Sequence, residues 1–389
     1  MGYTHIVIGA GAIGAAAAYW LSRRPGTRVL VIEQFDLVNT LNSSGDVSRI
    51  IRHAYHSTAY TKLTPAMFEA WAEVEERSGL QLYVKTGGLD LATSAESSVG
   101  ELDAYRDALA AEGIPYEDLT AAEIRSRYPQ WHIEDDVTGM YQEAGGLIDI
   151  RKSVAAHTSL ALANGAEFLP HTTVSGVVVR PDSVTVRTAR GDFDAGGLVI
   201  AAGSWLGELM PDLGLDYRLT LSQEQVSYFT SQNLHDFTPE KFPIWIFHGE
   251  TAFYGFPVYG EPAVKLARDM RGRFIESGEW VVEGDDGVAA IRRGFRERYL
   301  PGAVGPVYAH RTCVYDMAPD REFVLDTVPG SPHVAVFNGA GHAGKFASLV
   351  GKILAELITD GATAHPIEPF SLRRPATAGP GFEPAFRVG

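Results

Sequence analysis

Apolar residues fall into short runs broken by glycine and proline, with longer stretches of helical spacing between them. The first run, Tyr3 to Ile8, ends in Gly9-Ala10-Gly11-Ala12-Ile13-Gly14 and passes into an alanine-rich stretch, Ala15 to Leu21. A second run, Val29 to Ile32, ends in Glu33. This pattern predicts strand, glycine turn, helix and strand. Leu63, Met67, Ala70 and Trp71 recur at helical spacing, and Val84 to Leu91 alternates like a strand around Gly87-Gly88. Thr120-Ala121-Ala122-Glu123 fits a capping box at the start of a helix that Pro129 stops. Gly145 to Asp149 leads into a helix from Val154 to Asn164. Val174 to Val179 and Val184 to Thr188 read as a hairpin across Arg180-Pro181-Asp182-Ser183. Leu198 to Gly203 reads as a buried strand ending on small residues, with Gly203-Ser204-Trp205 turning into a short helix. Ser222 to Arg268 is strand-like and aromatic, and a helix is predicted from Gly287 to Tyr299. Val324 to Asp326 and Val334 to Phe337 read as strands, and Lys345 to Thr359 as an amphipathic helix.

The first unit has a physical logic. Gly9 permits a tight turn, Gly11 lets the backbone approach a pyrophosphate, and Gly14 lets helix and strand pack closely. The N–H groups of Ala12 and Ile13 open the helix, where a positive dipole end favours phosphate. Glu33, followed by Gln34, is placed to accept from the hydroxyls of an adenosine ribose and would repel a 2′-phosphate. Ser44, Val174, Ala202, Gly203 and Trp205 complete the candidate cofactor surface. The turn by itself does not distinguish FAD from NAD. The predicted fold is α/β (α+β): a Rossmann-like dinucleotide domain built from 1–83, 145–215 and 310–389, with an inserted antiparallel-sheet substrate domain from 84–144 and 216–309.

Composition narrows the partners. The formal charge of −15 disfavours nucleic acid and anionic lipid. No apolar run reaches membrane-spanning length, and the apolar N-terminus lacks a basic leader, so a cytoplasmic enzyme is expected. The lone cysteine, Cys313, excludes an internal disulfide and a four-cysteine zinc site, and no metal is expected.

Several spaced motifs agree beyond the glycine turn. They are Ser48-Arg49-Ile50-Ile51-Arg52-His53-Ala54-Tyr55, Phe253-Tyr254-Gly255-Phe256-Pro257, Val264-Lys265-Leu266, Cys313-Val314-Tyr315 and Gly339-Ala340-Gly341-His342-Ala343-Gly344-Lys345-Phe346. In this order the chain, from Tyr3 to about Arg374, resembles the monomeric sarcosine oxidase family of the D-amino acid oxidase superfamily, with N-methyltryptophan oxidase and pipecolate oxidase as close relatives. The resemblance implies FAD joined covalently to Cys313. Arg311, two residues earlier, is a cation that would favour the thiolate.

The same resemblance implies that Arg52 and Lys345 clamp the substrate's carboxylate, that Arg49 lies beside the flavin ring, and that Lys265 activates oxygen. Taken alone, Lys265 fits the wet face of an edge strand, and Lys345 the first turn of a helix, where a cation is unfavourable. Tyr254 and Tyr315 are pocket tyrosines by resemblance. Backbone N–H groups of Gly339, Gly341 and Gly344 would stabilise negative charge on the flavin, with His342 part of that loop rather than a base. Two positions depart from the family. Gly45 and Asp46 occupy a turn that often holds a histidine, and Asp269 stands at a second family histidine. If Asp269 faces the pocket, it would disfavour an extra anionic group and favour a cationic one; the alternative is that it points at solvent or pairs with Arg268 or Arg271.

The implied activity is oxidation of the C–N bond of a secondary amino acid, N-methylated or cyclic, to an imine, with O2 reduced to H2O2 by a monomer or small homo-oligomer. The alternatives are a flavin dehydrogenase using another electron acceptor, a secondary-metabolism oxidase of a larger cyclic amine, and a non-enzymatic nucleotide sensor.

Overall fold

The protein is described here by a computed structural model covering residues 2–384 apart from 42, 250, 282–283 and 380. The strand Tyr3–Ile8 lies in parallel between Val29–Ile32 and Gly191–Ile200. Glu167–Leu169 and Ser331–Asn338 extend the parallel run at either side. Strands of this kind are buried on both faces, which is why they read as unbroken Val, Ile and Leu. Val7, Val31, Val199 and Ala335 meet one core with the helices Ala12–Ser22, Ile150–Ala163 and Ala347–Asp360. Their neighbours Ile6, Ile8, Leu30, Ile32, Leu198 and Ile200 face a second core beneath the hairpin Val174–Val179 and Val184–Thr188. Small residues let the first and last helices touch: a Cβ at Gly351 would fall 2.5 Å from the Cβ of Ala16.

A second, nine-stranded sheet runs in the order Arg273–Ile275, Thr220–Phe229, Val264–Arg268, Phe253–Phe256, Ile244–His248, Gly88–Ala92, Thr138–Gln142 and Glu117–Thr120. Val307–Met317 pairs along the other side of Thr220–Phe229. The expected antiparallel sheet is therefore mixed. Ile244–His248 and Gly88–Ala92 pair in parallel, because they come from separate segments and no hairpin joins them.

A three-stranded sheet, in the order Ser48–Ile51, Gly146–Asp149 and Tyr83–Lys85, completes the set. The predicted strand over Val84 to Leu91 is thus two strands in different sheets. The break falls at Gly87, whose φ of +76° and close contact with the Tyr141 ring leave no room for a Cβ. The lead into the helix at Ile150–Ala163 is itself a strand, capped by the Asp149 carboxylate on the N–H of Lys152. The capping box at Thr120 and Glu123 is present, and the predicted Lys345 helix begins instead as a 3-10 turn, Ala343–Phe346.

The glycine turn yields a stability prediction. A Cβ at Gly14 would lie 1.8 Å from the Gly9 carbonyl oxygen, whereas one at Gly100, inside the helix Glu96–Ala111, meets no atom within 4 Å. Denaturant unfolding should show Gly14→Ala losing about 2–4 kcal/mol and Gly100→Ala gaining about 0.5–1 kcal/mol.

Candidate active site

The site begins at the first strand–helix turn. Gly9 has φ +94°, and a Cβ there would sit 2.4 Å from the Ala201 carbonyl oxygen. Glu33 is buried and accepts from the N–H groups of Ala10 at 2.8 Å and Phe35 at 2.9 Å. Its carboxylate therefore braces the turn. The Ala12 N–H donates to Ser44 Oγ at 3.0 Å, which ties the polar segment after the second strand to the helix start.

From this turn a cavity of about 670 Å³ extends between the two large sheets. All the residues expected at the site line it except Gly14. Gly14 instead serves the contact between helix and strand. Gln34, Val174, Ala202, Gly203 and Trp205 lie at the cavity wall with the glycine turn. Gly339, Gly341, Gly344 and His342 line it from the last loop. Gly341 has φ +80° and its Cβ would overlap the Tyr315 ring, so this close approach needs glycine. Asp316 accepts from the Gly339 N–H at 3.3 Å and the Asn338 amide at 2.9 Å, and burial pushes its carboxyl up to about 6.

Cys313 is half-buried on Val307–Met317, opposite Glu224 in register. Burial pushes its thiol up to about 11, against the pull of Arg49 and Lys265. Arg311 is not the cation that acts on the thiol: its guanidinium pairs with Glu261 at 3.1 Å.

Lys265 lies on an interior strand, between Thr220–Phe229 and Phe253–Phe256, so the edge-strand reading does not hold. Val264 and Leu266 face the core, and Lys265, 3% exposed, faces the cavity. Its ammonium pairs with Asp46 at 2.5 Å, donates to the Ser48 carbonyl at 2.9 Å and lies 4.3 Å from the Phe256 ring centre. Burial pulls its pKa down to about 8, with Asp46 opposing and Arg49 assisting. Asp46 also meets Arg49 at 3.4 Å and accepts from Tyr228 OH at 2.6 Å. One carboxylate therefore compensates two cations.

Arg52 is buried, ion-pairs with Asp90 and lies 5.0 Å from the Tyr105 ring centre. Its Nη2 has a 3.4 Å contact with Tyr105 OH, and its buried Nε has no hydrogen-bond partner among the described residues. Lys345 is half-buried and donates to Tyr55 OH at 2.8 Å. No carboxylate pairs with it among the described residues, and burial together with Arg52 pulls it down to about 7. Asp269 pairs with Arg321 at 2.8 Å rather than with Arg268 or Arg271. Its charge is therefore compensated, which removes the argument that it selects a cationic ligand. Burial raises the hydroxyls of both Tyr254 and Tyr315. Burial holds His342 well below the ordinary histidine value, and its ring stacks on Phe323 at 4.8 Å.

Sequence reasoning did not single out Asp90, Arg321, His248, Glu101 or Tyr55 as site residues, although all but Asp90 line the cavity. Asp46 was visible only as a departure in the turn. Arg321 carries a faint sign, a positive φ of +59°, that no sequence pattern reveals.

Comparisons with known proteins agree on one family. The family described as FAD dependent oxidoreductase matches residues 5–357. A monomeric sarcosine oxidase from Bacillus sp. (strain B-0618) is 32% identical over 379 residues, covering 95% of this chain and 96% of the relative. An N-methyl-L-tryptophan oxidase from Citrobacter koseri is 29% identical, covering 96% and 99%. Among solved structures, the open form of NikD, described as an unusual amino acid oxidase essential for nikkomycin biosynthesis, superposes with a TM-score of 0.84 at 25% identity, covering 100% of this chain and 99% of that one. With a matched family domain across most of its length, and a glycine turn joined to a cavity between two sheets, this chain belongs to the FAD dependent oxidoreductases.

Proposed function

We propose that this enzyme oxidises the C–N bond of a secondary amino acid, N-methylated or cyclic, to an imine, and that O2 is the electron acceptor and leaves as hydrogen peroxide. The observation that carries this reading is the convergence of Cys313, Arg49, Lys265, Arg52 and Lys345 on the cavity that begins at the glycine turn. The kinship with enzymes named for sarcosine and N-methyl-L-tryptophan supports the substrate class.

The residues fit FAD. Gly9 and Gly341 pack against the Ala201 carbonyl and the Tyr315 ring too closely for any side chain, which brings their backbone to the cavity wall, and Glu33 lines the cavity beside the glycine turn, where it is assigned to the ribose. We assign Gly9, Gly11, Ala12, Ile13, Glu33, Gln34, Ser44, Val174, Ala202, Gly203 and Trp205 to the dinucleotide. Arg49, Cys313 and the loop Gly339 to Gly344 are assigned to the ring, with a covalent link at Cys313. FAD, when bound, supplies the two-electron redox chemistry. The cofactor would be held by 1–83, 145–215 and 310–389, and the substrate covered by 84–144 and 216–309.

The chain's own groups do the rest. Arg52 presents its guanidinium to the substrate's carboxylate, and Lys345, which pairs with no carboxylate among the described residues, gains a partner when that carboxylate arrives. The substrate's amine binds neutral beside them. Tyr254 and Tyr315 stay protonated and wall the pocket against water. Lys265 places positive charge where oxygen gains electrons, and Asp46 keeps that charge in place as pH rises. Water hydrolyses an open-chain imine after release.

A second reading is an oxidase of a larger cyclic amine in secondary metabolism, and the likeness to NikD, described as an amino acid oxidase of nikkomycin biosynthesis, supports the biosynthetic setting. An anaerobic screen watching flavin absorbance separates the two. Bleaching by sarcosine or N-methyltryptophan supports the first reading; bleaching only by bulkier cyclic amines supports the second. No amine-dependent bleaching at all would refute both.

Acid precipitation of the holoenzyme should leave a yellow pellet, and Cys313→Ser should release the colour to the supernatant. Release from the unmodified protein would disprove the link. The Lys265 ammonium is charged below about 8 and is lost as pH rises through that value. Stopped-flow reoxidation should therefore slow above about pH 8. Lys265→Met should slow it by roughly 10²–10³-fold at neutral pH while sparing anaerobic reduction. Asp46→Asn should move the pH break downward, because the carboxylate supports the ammonium.

A further inference from the structure

His248 ends the strand Ile244–His248 and is 2% exposed. Its two ring nitrogens both face carboxylates: Nε2 lies 3.0 Å from Asp90 Oδ1, and Nδ1 lies 2.9 Å from Glu101 Oε2. A neutral imidazole has one N–H and one lone pair. Between two carboxylates that lone pair would oppose an oxygen lone pair, so the doubly protonated ring alone satisfies both contacts. Arg52 pairs with the same oxygen of Asp90. A single carboxylate oxygen therefore serves two cations. Tyr105 packs against both, 5.0 Å from the Arg52 guanidinium and 5.1 Å from the His248 ring. Glu101 and Tyr105 lie four residues apart on the helix Glu96–Ala111 and share one face.

We infer that His248 is a positioning residue for Arg52, whose second ring proton divides Asp90 between the two cations and so sets how much positive charge Arg52 presents to a substrate carboxylate. This rests on the carboxylate role proposed for Arg52. The charged groups facing His248 are Asp90 from the strand Gly88–Ala92, Glu101 from the helix, and Arg52 from the segment after Ser48–Ile51. With the ring protonated, two positive charges balance two negative ones. Without that proton, Asp90 pairs with Arg52 alone and Glu101, with 56% of its side chain exposed at the cavity, is left uncompensated. Burial works against the charged ring, but Asp90 and Glu101 together raise its pKa above the ordinary value. Carboxylate affinity is therefore fullest below that raised pKa and falls as pH rises through it.

The test uses the FAD-loaded enzyme carrying nitrogen-15-labelled histidine, with His248→Gln to assign the signal and propionate as the probe. Near neutral pH both ring nitrogens of His248 should be protonated. Saturating propionate should raise the apparent pKa of this ring, because protonation and binding are reciprocally linked, and neutral propionamide should leave it unchanged. Glu101→Gln, at the exposed rim, should leave a singly protonated ring and abolish the part of the pH dependence of propionate binding that His248 contributes. That part is roughly thirtyfold, the size expected for one unit charge about 8 Å away at an effective dielectric constant of about 20. A singly protonated ring in the unmodified enzyme, or the same propionate pH profile in Glu101→Gln, overturns the inference. Arg52→Ala separates the two claims. If propionate binds it as tightly as the unmodified enzyme, the carboxylate role of Arg52 falls and this inference with it. If binding weakens while the pKa of His248 ignores propionate, only the inference falls.

Discussion

Positive charge withdrawn from water is stabilised by nearby negative charge, and the wall of this cavity is arranged around that need. Asp46 serves Lys265 and Arg49, Asp90 serves Arg52, and Asp269 serves Arg321. Removing one member of a buried pair, as in Lys265–Asp46 or Arg52–Asp90, leaves the other uncompensated, at a cost of about 3–5 kcal/mol, whereas Asp269–Arg321 is partly exposed and shares its compensation with water. Lys345 shows the converse. It has a tyrosine hydroxyl and a backbone carbonyl but no paired carboxylate among the described residues, and its pKa falls to about 7. It is the position where an arriving anion changes the charge state most.

The fold brings these groups together by crossing elements rather than by a local motif. The short strand Ser48–Ile51 and the residues on either side of it supply Asp46, Arg49 and Arg52. Val264–Arg268 and Val307–Met317, both paired to Thr220–Phe229, bring Lys265 and Cys313 from the larger sheet. The 3-10 turn Ala343–Phe346, which follows the strand Ser331–Asn338, brings Lys345 from the first sheet. All sit on strands or on tightly packed turns, which fixes a charge to within the short distances that compensation demands.

Glu33 and Asp316 show the same economy at the cofactor end. Each is a buried carboxylate spent on backbone N–H groups, Glu33 at the glycine turn and Asp316 at the last loop. The backbone is thereby preset where a dinucleotide and its ring are proposed to lie, so little ordering entropy remains to be lost on binding.

What the chain order carries is local. The strand–turn–helix unit, the hairpin at Arg180 to Ser183 and the helix at Asp286–Tyr299 are legible because periodicity and turn chemistry act over a few residues. Spaced motifs also identified the wall residues themselves. The strand holding Cys313 was not read, since His310, Arg311 and Thr312 interrupt its apolar pattern and its pairing partner lies far back in the chain. Nor could the partners of the cations be read. Asp90 and His248 meet only because two strands from separate segments pair in parallel, and Asp269 finds Arg321 at 52 residues' distance. Residue types and spacing decide which groups are available. Only the tertiary structure decides which charges stand within a few ångströms of each other, and electrostatic energy in a desolvated site depends on that separation.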